Sequence, residues 1–478
     1  MAENADHAGR RDAAAPAALW SDLVTPALAP RAALVLLGVW LNAADALVTA
    51  TIMPSVAHEL GGVAYFGWAV AFYLTGSILA GASAGQMSRR LGLRPAMILA
   101  AISYAAGCAM SAGSPSIEVF LLGRILQGVG AGWVVGFCYV AIGMVFPERL
   151  WARMFGATAG VWGIASLLGP LIGGVFAGAG IWRGAFWMFA GQGLLFAVAC
   201  ALLLPGRRAD EDAVRPLAWR TLGVLAAAIL VIAAADVTPG AVGPAALLSV
   251  GCLLLVWAGW VNGRPGEQLL PGDAFRPLTV AGAGYAMIFT TEIATVVFNV
   301  YQAAILQTVY RVTPLIAGYV VSVIAVGWTA AAFMVSGQPE RRHGAFIVAG
   351  ALVIMAGSTL LAFTLSRAPL GWVVAAGLIV GAGFGMSWSL ATQRILGALP
   401  EADRAIGSAA VPTTQLIGGA VGAAAAGAIA NLLGLARDFS PGHVQAVTPW
   451  LFGAFLPMAA LGCLAALRLA RNQAAPRL

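Results

Sequence analysis

The chain has 478 residues, of which 60% are hydrophobic and only 9% charged. Soluble domains run at about 45–50% apolar and about 25% charged, so with a mean hydropathy of +0.88 a water-soluble enzyme is excluded. The formal net charge of +7 rests on 26 arginines and no lysine, which excludes P-loop and Schiff-base chemistry, because both need a lysine amine.

A polar, Ala/Pro-rich tail over 1–30 carries both signs of charge and no signal peptide. Fourteen apolar blocks follow, at 32–54, 63–85, 95–113, 117–140, 153–178, 184–204, 219–236, 241–262, 278–301, 313–335, 344–365, 369–393, 405–433 and 447–468. Each approaches the about 20 residues that a helix needs to cross a bilayer. The linker 205–218 reads as a short cytoplasmic connection, and 471–478 as a second tail. Cys108, Cys138, Cys200, Cys252 and Cys463 each lie inside a block and read as small buried hydrophobes. His7, His58, His343 and His443 fall in tails or loops, so neither a metal centre nor haem is expected. Trp151, Trp182, Trp219, Trp372 and Trp450 sit near block ends and read as interfacial anchors.

With the N-terminus in the cytoplasm and the blocks alternating, 21 arginines fall inside, four outside (Arg183, Arg311, Arg367 and Arg437) and Arg124 within the membrane. The positive-inside rule supports this orientation, with both termini cytoplasmic. In a membrane chain such charge marks loops rather than contacts with nucleic acid.

An internal repeat runs through the chain. GQMSRRLG (85–92) returns as GQPERRHG (337–344), GVGAG (128–132) as GAGFG (381–385), PE (147–148) as PE (400–401) and LIGG (171–174) as LIGG (416–419), at offsets of 252, 253, 253 and 245. Six spans with short loops need about 190 residues; the surplus is what two more helices would occupy. The expected fold is therefore an all-α polytopic membrane protein of 14 transmembrane helices. It has two six-helix bundles (31–204 and 277–470) related by a pseudo-two-fold, with an inserted helix pair and its loop at 219–276. Two related bundles with a site between them is a transporter pattern.

Four motifs carry a resemblance to a known family. They are LLGRILQGVGAG (121–132) in the fourth block, GVWGIASLLGPLIGG (160–174) in the fifth, an Asp45 nine residues before Pro54 in the first, and GQMSRRLGLR (85–94) between the second and third. On these residues the chain resembles the major facilitator superfamily, in its 14-spanner drug:proton antiporter branch, over about 31 to 470. The resemblance places Arg124, Gln127 and Gly128 in register with the fourth-helix motif. It makes Gly169, Pro170, Gly173 and Gly174 the antiporter motif, with the expectation of a close bundle-to-bundle seal. It makes Gly85, Arg89, Arg90 and Gly92 a gating loop. Arg89 stands where that loop normally carries an Asp, Ala165 where the fifth-helix motif has Gly, and Ala50 where the first-helix pattern has Asn.

Charges buried in a bilayer are costly and are functional candidates by default. Asp45, Arg124 and Glu292 qualify, at similar depths of roughly 20 Å from the cytoplasmic ends of their helices. The resemblance puts them on cavity-lining helices, as proton-coupling residues. A buried carboxyl beside an arginine is pulled between desolvation, which opposes its charge, and the guanidinium, which favours it; such a group can load and release a proton. A static ion pair between the first and fourth helices is the structural alternative. Asn42, Gln127, Tyr285, Asn299, Trp388 and Gln393 are candidate cavity lining, with inter-helix packing as the alternative. Glu118 and Asp236, at outer block ends, read as solvated interface.

The expected protein is a monomeric secondary transporter in a bacterial inner membrane, without catalytic residues, cofactor or nucleic-acid partner. It exports a hydrophobic or cationic small molecule in exchange for protons by alternating access. A dedicated exporter of one metabolite, peptide, siderophore or lipid is the alternative within transport. A non-transporting receptor of the same fold is the alternative outside it.

Overall fold

The computed structural model describes residues 19–60, 66–204, 218–238, 242–435 and 437–471. Most of the linker (205–217), the outer parts of the two tails, His7 and the Asp236 side chain lie outside the described residues. The chain folds as helices throughout, with no strand among the described residues. In chain order these are α1 (Ala29–Glu59), α2 (Phe66–Leu91), α3 (Leu93–Ala112), α4 (Ile117–Val145), α5 (Glu148–Gly178), α6 (Trp182–Leu203), α7 (Trp219–Val237), α8 (Val242–Asn262), α9 (Val280–Tyr310), α10 (Pro314–Val335), α11 (His343–Thr364), α12 (Leu370–Ala398), α13 (Arg404–Leu432), α14 (Pro441–Gly453) and α15 (Leu456–Arg471). Every apolar block coincides with a helix, and the last is broken into α14 and α15. Pro457, the second residue of α15, has no N–H to offer the preceding turn and so favours the break there.

Among the described residues, twelve helical segments are long and apolar enough to cross a membrane, the pair α14–α15 forming one of them. Helix α2 is not among the twelve, and α7 contributes only the shorter apolar stretch Trp219–Ala235. For α2 the reason is its hydroxyl and amide side chains, which lower its hydropathy and are buried against protein. Thr75, Ser77, Ser83, Gln86 and Ser88 all lie inside, and a helix wrapped by other helices does not need a lipid-facing surface.

Helix α1 packs on α5 and α6, α2 on α4, and α3 on α4 and α6. One repeat later α9 packs on α13 and α15, α10 on α12, and α11 on α12 and α15. The two sets meet through α2 on α13 and α5 on α10, with further contacts of α4 on α13 and α5 on α12. Helices α7 and α8 pack on each other and lie to one side, against α2 and α13. Only 17% of the apolar window of α8 is buried. The pair is tied at one end: the Asn262 amide accepts from Leu269 N (2.8 Å) and Leu270 N (2.9 Å) and donates to Leu270 O (3.1 Å), and Gln86 on α2 donates to Gln268 O at 2.5 Å.

Glycine decides the tightest corner. Helices α2 and α3 are separated by Gly92 alone, at φ 79° and ψ 154°, a region essentially open only to glycine. The expected N-terminal tail is docked in part. Trp20–Val24 forms a 3-10 turn, the Trp20 ring lies 4.8 Å from the Phe333 ring of α10, and Asp22 pairs with Arg149 of α5 at 3.4 Å.

Two tryptophans read as interfacial anchors are core residues instead. Trp151 is 1% exposed and donates to Phe146 O at 2.9 Å; Trp182 is 2% exposed and donates to Glu59 at 2.5 Å. Each has a carbonyl or carboxylate within reach, which satisfies the indole N–H and allows burial. Trp219, Trp372 and Trp450 are exposed at helix ends.

Candidate functional site

The site is assembled where α4 lies between α2, α3 and α1. Glycines make that close approach possible. A methyl group on Gly128 would strike the Tyr73 backbone, on Gly132 the Ser77 backbone, and on Gly130 the Tyr104 backbone. With α4 held this close, two polar positions on it, Arg124 and Gln127, face α1 and α2.

Asp45 is fully buried, as is Gln127, and Arg124 is 2% exposed. Asp45 Oδ1 accepts from Gln127 Nε2 at 2.8 Å and from Thr49 Oγ1, one turn along α1, at 3.1 Å. Arg124 Nη1 donates to Gln127 Oε1 at 2.8 Å and stands 3.8 Å from Asp45 Oδ2. Gln127 therefore bridges acid and base: it donates to the carboxylate and accepts from the guanidinium. Arg124 is held further by Ala69 O at 3.3 Å and by the Tyr73 ring, whose centroid lies 4.3 Å from Cζ, a cation–π geometry. The Tyr73 hydroxyl donates to Asn42 Oδ1 at 2.8 Å. One connected network thus joins Asn42, Asp45 and Thr49 of α1, Tyr73 of α2, and Arg124 and Gln127 of α4. Asp45 Oδ2 is buried and has no hydrogen-bond partner.

Glu292 stands apart from this network. It is half-buried on α9, and its Oε2 accepts from Gln415 Nε2 of α13 at 3.3 Å. The backbone of α13 comes close because Gly418 faces the Glu292 stem. Tyr285 is buried and donates to Gly407 O of α13 at 2.8 Å, so it braces α9 against α13. Asn299 is exposed. Trp388 is buried against Trp328, with ring centroids 5.5 Å apart, and Trp328 stacks on Phe384 at 4.8 Å. Gln393 lies at the end of α12 and donates to Glu148 O of α5 at 3.4 Å. It therefore belongs to the contact between the two helix sets rather than to the Asp45 network.

At that same end the loop motif closes on α13. A methyl on Gly85 would meet the backbone of Ala405 and Ile406, and Arg89 Nη1 donates to Ala402 O at 2.6 Å. Arg90 is half-buried beside it. Glu148 of α5 pairs with Arg404 of α13 at 2.7 Å, and the Arg404 guanidinium lies 5.6 Å from the Trp151 ring.

Within the antiporter motif, Gly169 and Gly173 do not face the other helix set as expected. Added methyls on Gly169 and Gly173 would meet Leu47 and Thr51 of α1, within the same set, and nothing lies within 4 Å of one on Gly174. The face of α5 that meets α10 carries Gly156, Gly160 and Gly163, against Ser336, Phe333 and Thr329. Helix geometry explains this: with about 100° per residue, Gly169 and Gly173 share one face and Gly156, Gly160 and Gly163 another. Tyr73, Thr49, Gln415 and Glu148 escaped sequence reading. Thr49 had a signal, since residues four apart share a helix face; the other three are placed only by packing.

The Major Facilitator Superfamily family description matches residues 35–422. The chain belongs to the major facilitator superfamily. Among relatives of this facilitator is a probable multidrug-efflux transporter of Mycobacterium tuberculosis, 30% identical over 446 residues, covering 90% of this chain and 92% of the relative. The human organic anion transporter MFSD10 shares the fold with a TM-score of 0.68 at 15% identity, covering 92% of this chain and 99% of that one. The proton:xylose symporter XylE does so with a TM-score of 0.64 at 18% identity, covering 92% and 94%. This facilitator is thus a membrane transporter and not an enzyme. Among its described residues no group of three His, Cys, Asp or Glu is placed to hold a metal ion.

Proposed function

We propose that this transporter exports hydrophobic or cationic small molecules in exchange for protons. It does so by alternating access between two pseudo-two-fold-related six-helix bundles, with 14 spans in all. The matching pairings of α1–α6 and of α9–α15 support the pseudo-two-fold, and the seating of α7 beside α2 and α13 supports an inserted, spanning pair. In this reading the protein works as a monomer in a bacterial inner membrane, and the arginine count supports cytoplasmic termini. On that orientation, Glu148–Arg404 and Arg89–Ala402 O lie at the cytoplasmic face and close it.

The observation that carries the reading is the buried Asp45. One carboxylate oxygen is fully committed, to Gln127 and Thr49, while the other lacks a donor and sits 3.8 Å from Arg124. Proton loading on Oδ2 removes the attraction to Arg124 without breaking the Oδ1 bonds, so charge changes while the scaffold persists. A static ion pair would gain nothing from an oxygen left without a partner. Glu292, with its single amide donor, is a second carboxyl available for the coupling ion or for a cationic substrate. The mycobacterial relative's name agrees with drug export.

The test is ethidium accumulation in an efflux-deficient bacterium expressing wild type or Asp45→Asn, each with and without an uncoupler, at matched membrane levels. Asparagine keeps the Oδ1 acceptor but cannot ionise. Wild type should lower accumulation, and both the substitution and the uncoupler should abolish that effect. Efflux by Asp45→Asn that still responds to the uncoupler would remove Asp45 from the coupling. A well-expressed wild type that moves no ethidium would turn the assignment toward a dedicated exporter of one compound.

A further inference from the structure

Pro170 leaves a gap in α5 that the other helix set fills. In an α-helix the carbonyl of residue 166 accepts from the N–H of residue 170, but proline has no N–H. The Ser166 hydroxyl does not repair this, because it donates to Trp162 O at 2.9 Å. Ser322 of α10 does: its Oγ lies 3.3 Å from Ser166 O. The same hydroxyl lies 3.0 Å from Gly318 O in its own helix. A single hydrogen is therefore shared between an acceptor within α10 and an acceptor across the seam.

A second contact fixes the register. Thr329 Oγ1 donates to Ala159 O at 3.0 Å, seven residues along α10 from Ser322 and seven back along α5 from Ser166. The two helices thus run antiparallel with a seven-residue contact repeat, the period that keeps two helices in a common seam. The contacts differ in one respect. Ala159 O already has the Gly163 N–H from its own helix, so Thr329 adds a bond, whereas Ser322 supplies one that is otherwise missing.

We propose that Ser322 is a positioning residue of the transport cycle. Its hydroxyl completes α5 at Pro170 while the α5–α10 seam is closed, and returns to Gly318 O when the seam parts. The inference rests on the alternating-access reading above, because only a seam that opens gives the second acceptor a role.

The test is a cycle of variants read by distance rather than by transport. Spin labels are placed at Ile181→Cys and Ile316→Cys, exposed positions near the ends of α5 and α10, in a cysteine-free protein in lipid nanodiscs, and the distance distribution is measured by double electron–electron resonance. A net hydrogen bond shifts an equilibrium by about twofold to tenfold; Ser322→Ala should enrich the longer distances by that factor, and Ser322→Thr should restore the wild-type distribution. Pro170→Ala returns an N–H to Ser166 O, so adding Ser322→Ala to it should change nothing further. Pro170→Gly serves if the alanine variant does not fold. An equal shift from Ser322→Ala with and without Pro170, or no shift in either, overturns the proposal. A parallel ethidium assay keeps the two ideas separate: a wild type that moves no ethidium counts against the drug-export reading, while the distance cycle still decides the role of Ser322.

Discussion

At the scale of single residues, Gln127 connects two groups that stand too far apart for a good direct bond. The Arg124–Asp45 separation of 3.8 Å is long, while both Gln127 contacts are 2.8 Å. Gln127→Leu removes a donor from a buried carboxylate and an acceptor from a buried guanidinium. Each buried group left unsatisfied costs about 1–3 kcal/mol, so the variant should unfold at lower temperature in detergent and lose efflux. Gln127→Glu keeps the acceptor for Arg124 but sets a second carboxyl against Asp45, and should impair transport more than it lowers the melting temperature. Glu59, beyond the apolar stretch of α1, gives a pH-dependent case. Hydrogen bonds from Trp182 and Arg183 hold its carboxyl below the usual value of 4.5. A depressed carboxyl contributes stability that is present above its unfolded value and lost as pH falls through its folded one. The melting-temperature gap between wild type and Glu59→Gln should therefore be open at pH 7 and close as pH is taken below 4.5.

At the scale of elements, glycine spacing sorts helix faces. In α5 the Gly173 face is filled by Thr51 and Val48 O of α1, while the Gly174 face is open. Gly173→Val should therefore cost about 1–3 kcal/mol, the range for overpacking, and Gly174→Val should leave thermal stability within about 0.5 kcal/mol of wild type, as at ordinary surface sites. Circular-dichroism melts of the two variants check the contrast. Sequence reading grouped both residues in one motif, because a motif records order along the chain and not which side of the helix each residue faces. Hydropathy misleads in the same way at α2, whose hydroxyl and amide groups are buried against protein.

At the scale of the whole molecule, the two helix sets pack along α2–α13 and α5–α10, and at one end polar contacts join them as well. Glu148 and Arg404 are partly exposed, with side chains 59% and 23% accessible. Exposed pairs contribute only about 0.2–1 kcal/mol, too little to hold a domain together but enough to bias two states that are close in energy. Glu148→Arg should slow efflux by favouring the open end, and Arg404→Glu added to it should restore a substantial part; efflux rates of the single and double variants decide this. Arg89 belongs to the same closure. Where the loop motif normally has a carboxylate, it donates to the Ala402 carbonyl, so Arg89→Asp should lower efflux even though it recreates the usual motif.

The sequence by itself determined the membrane class, a helix at every apolar block and the superfamily, and it singled out Asp45 and Arg124 as buried charges able to pair. Those features follow from local hydropathy and from polar residues too costly to bury without purpose, and both can be read along a single strand of text. The tertiary structure alone decided that Gly169 and Gly173 serve α1, that Trp151 and Trp182 are core residues, that Glu292 meets Gln415, and that Ser322 reaches the carbonyl freed by Pro170. These are contacts between residues distant in the chain. They depend on the rotation of each helix about its own axis, which the packing of all its neighbours sets together and no local pattern encodes.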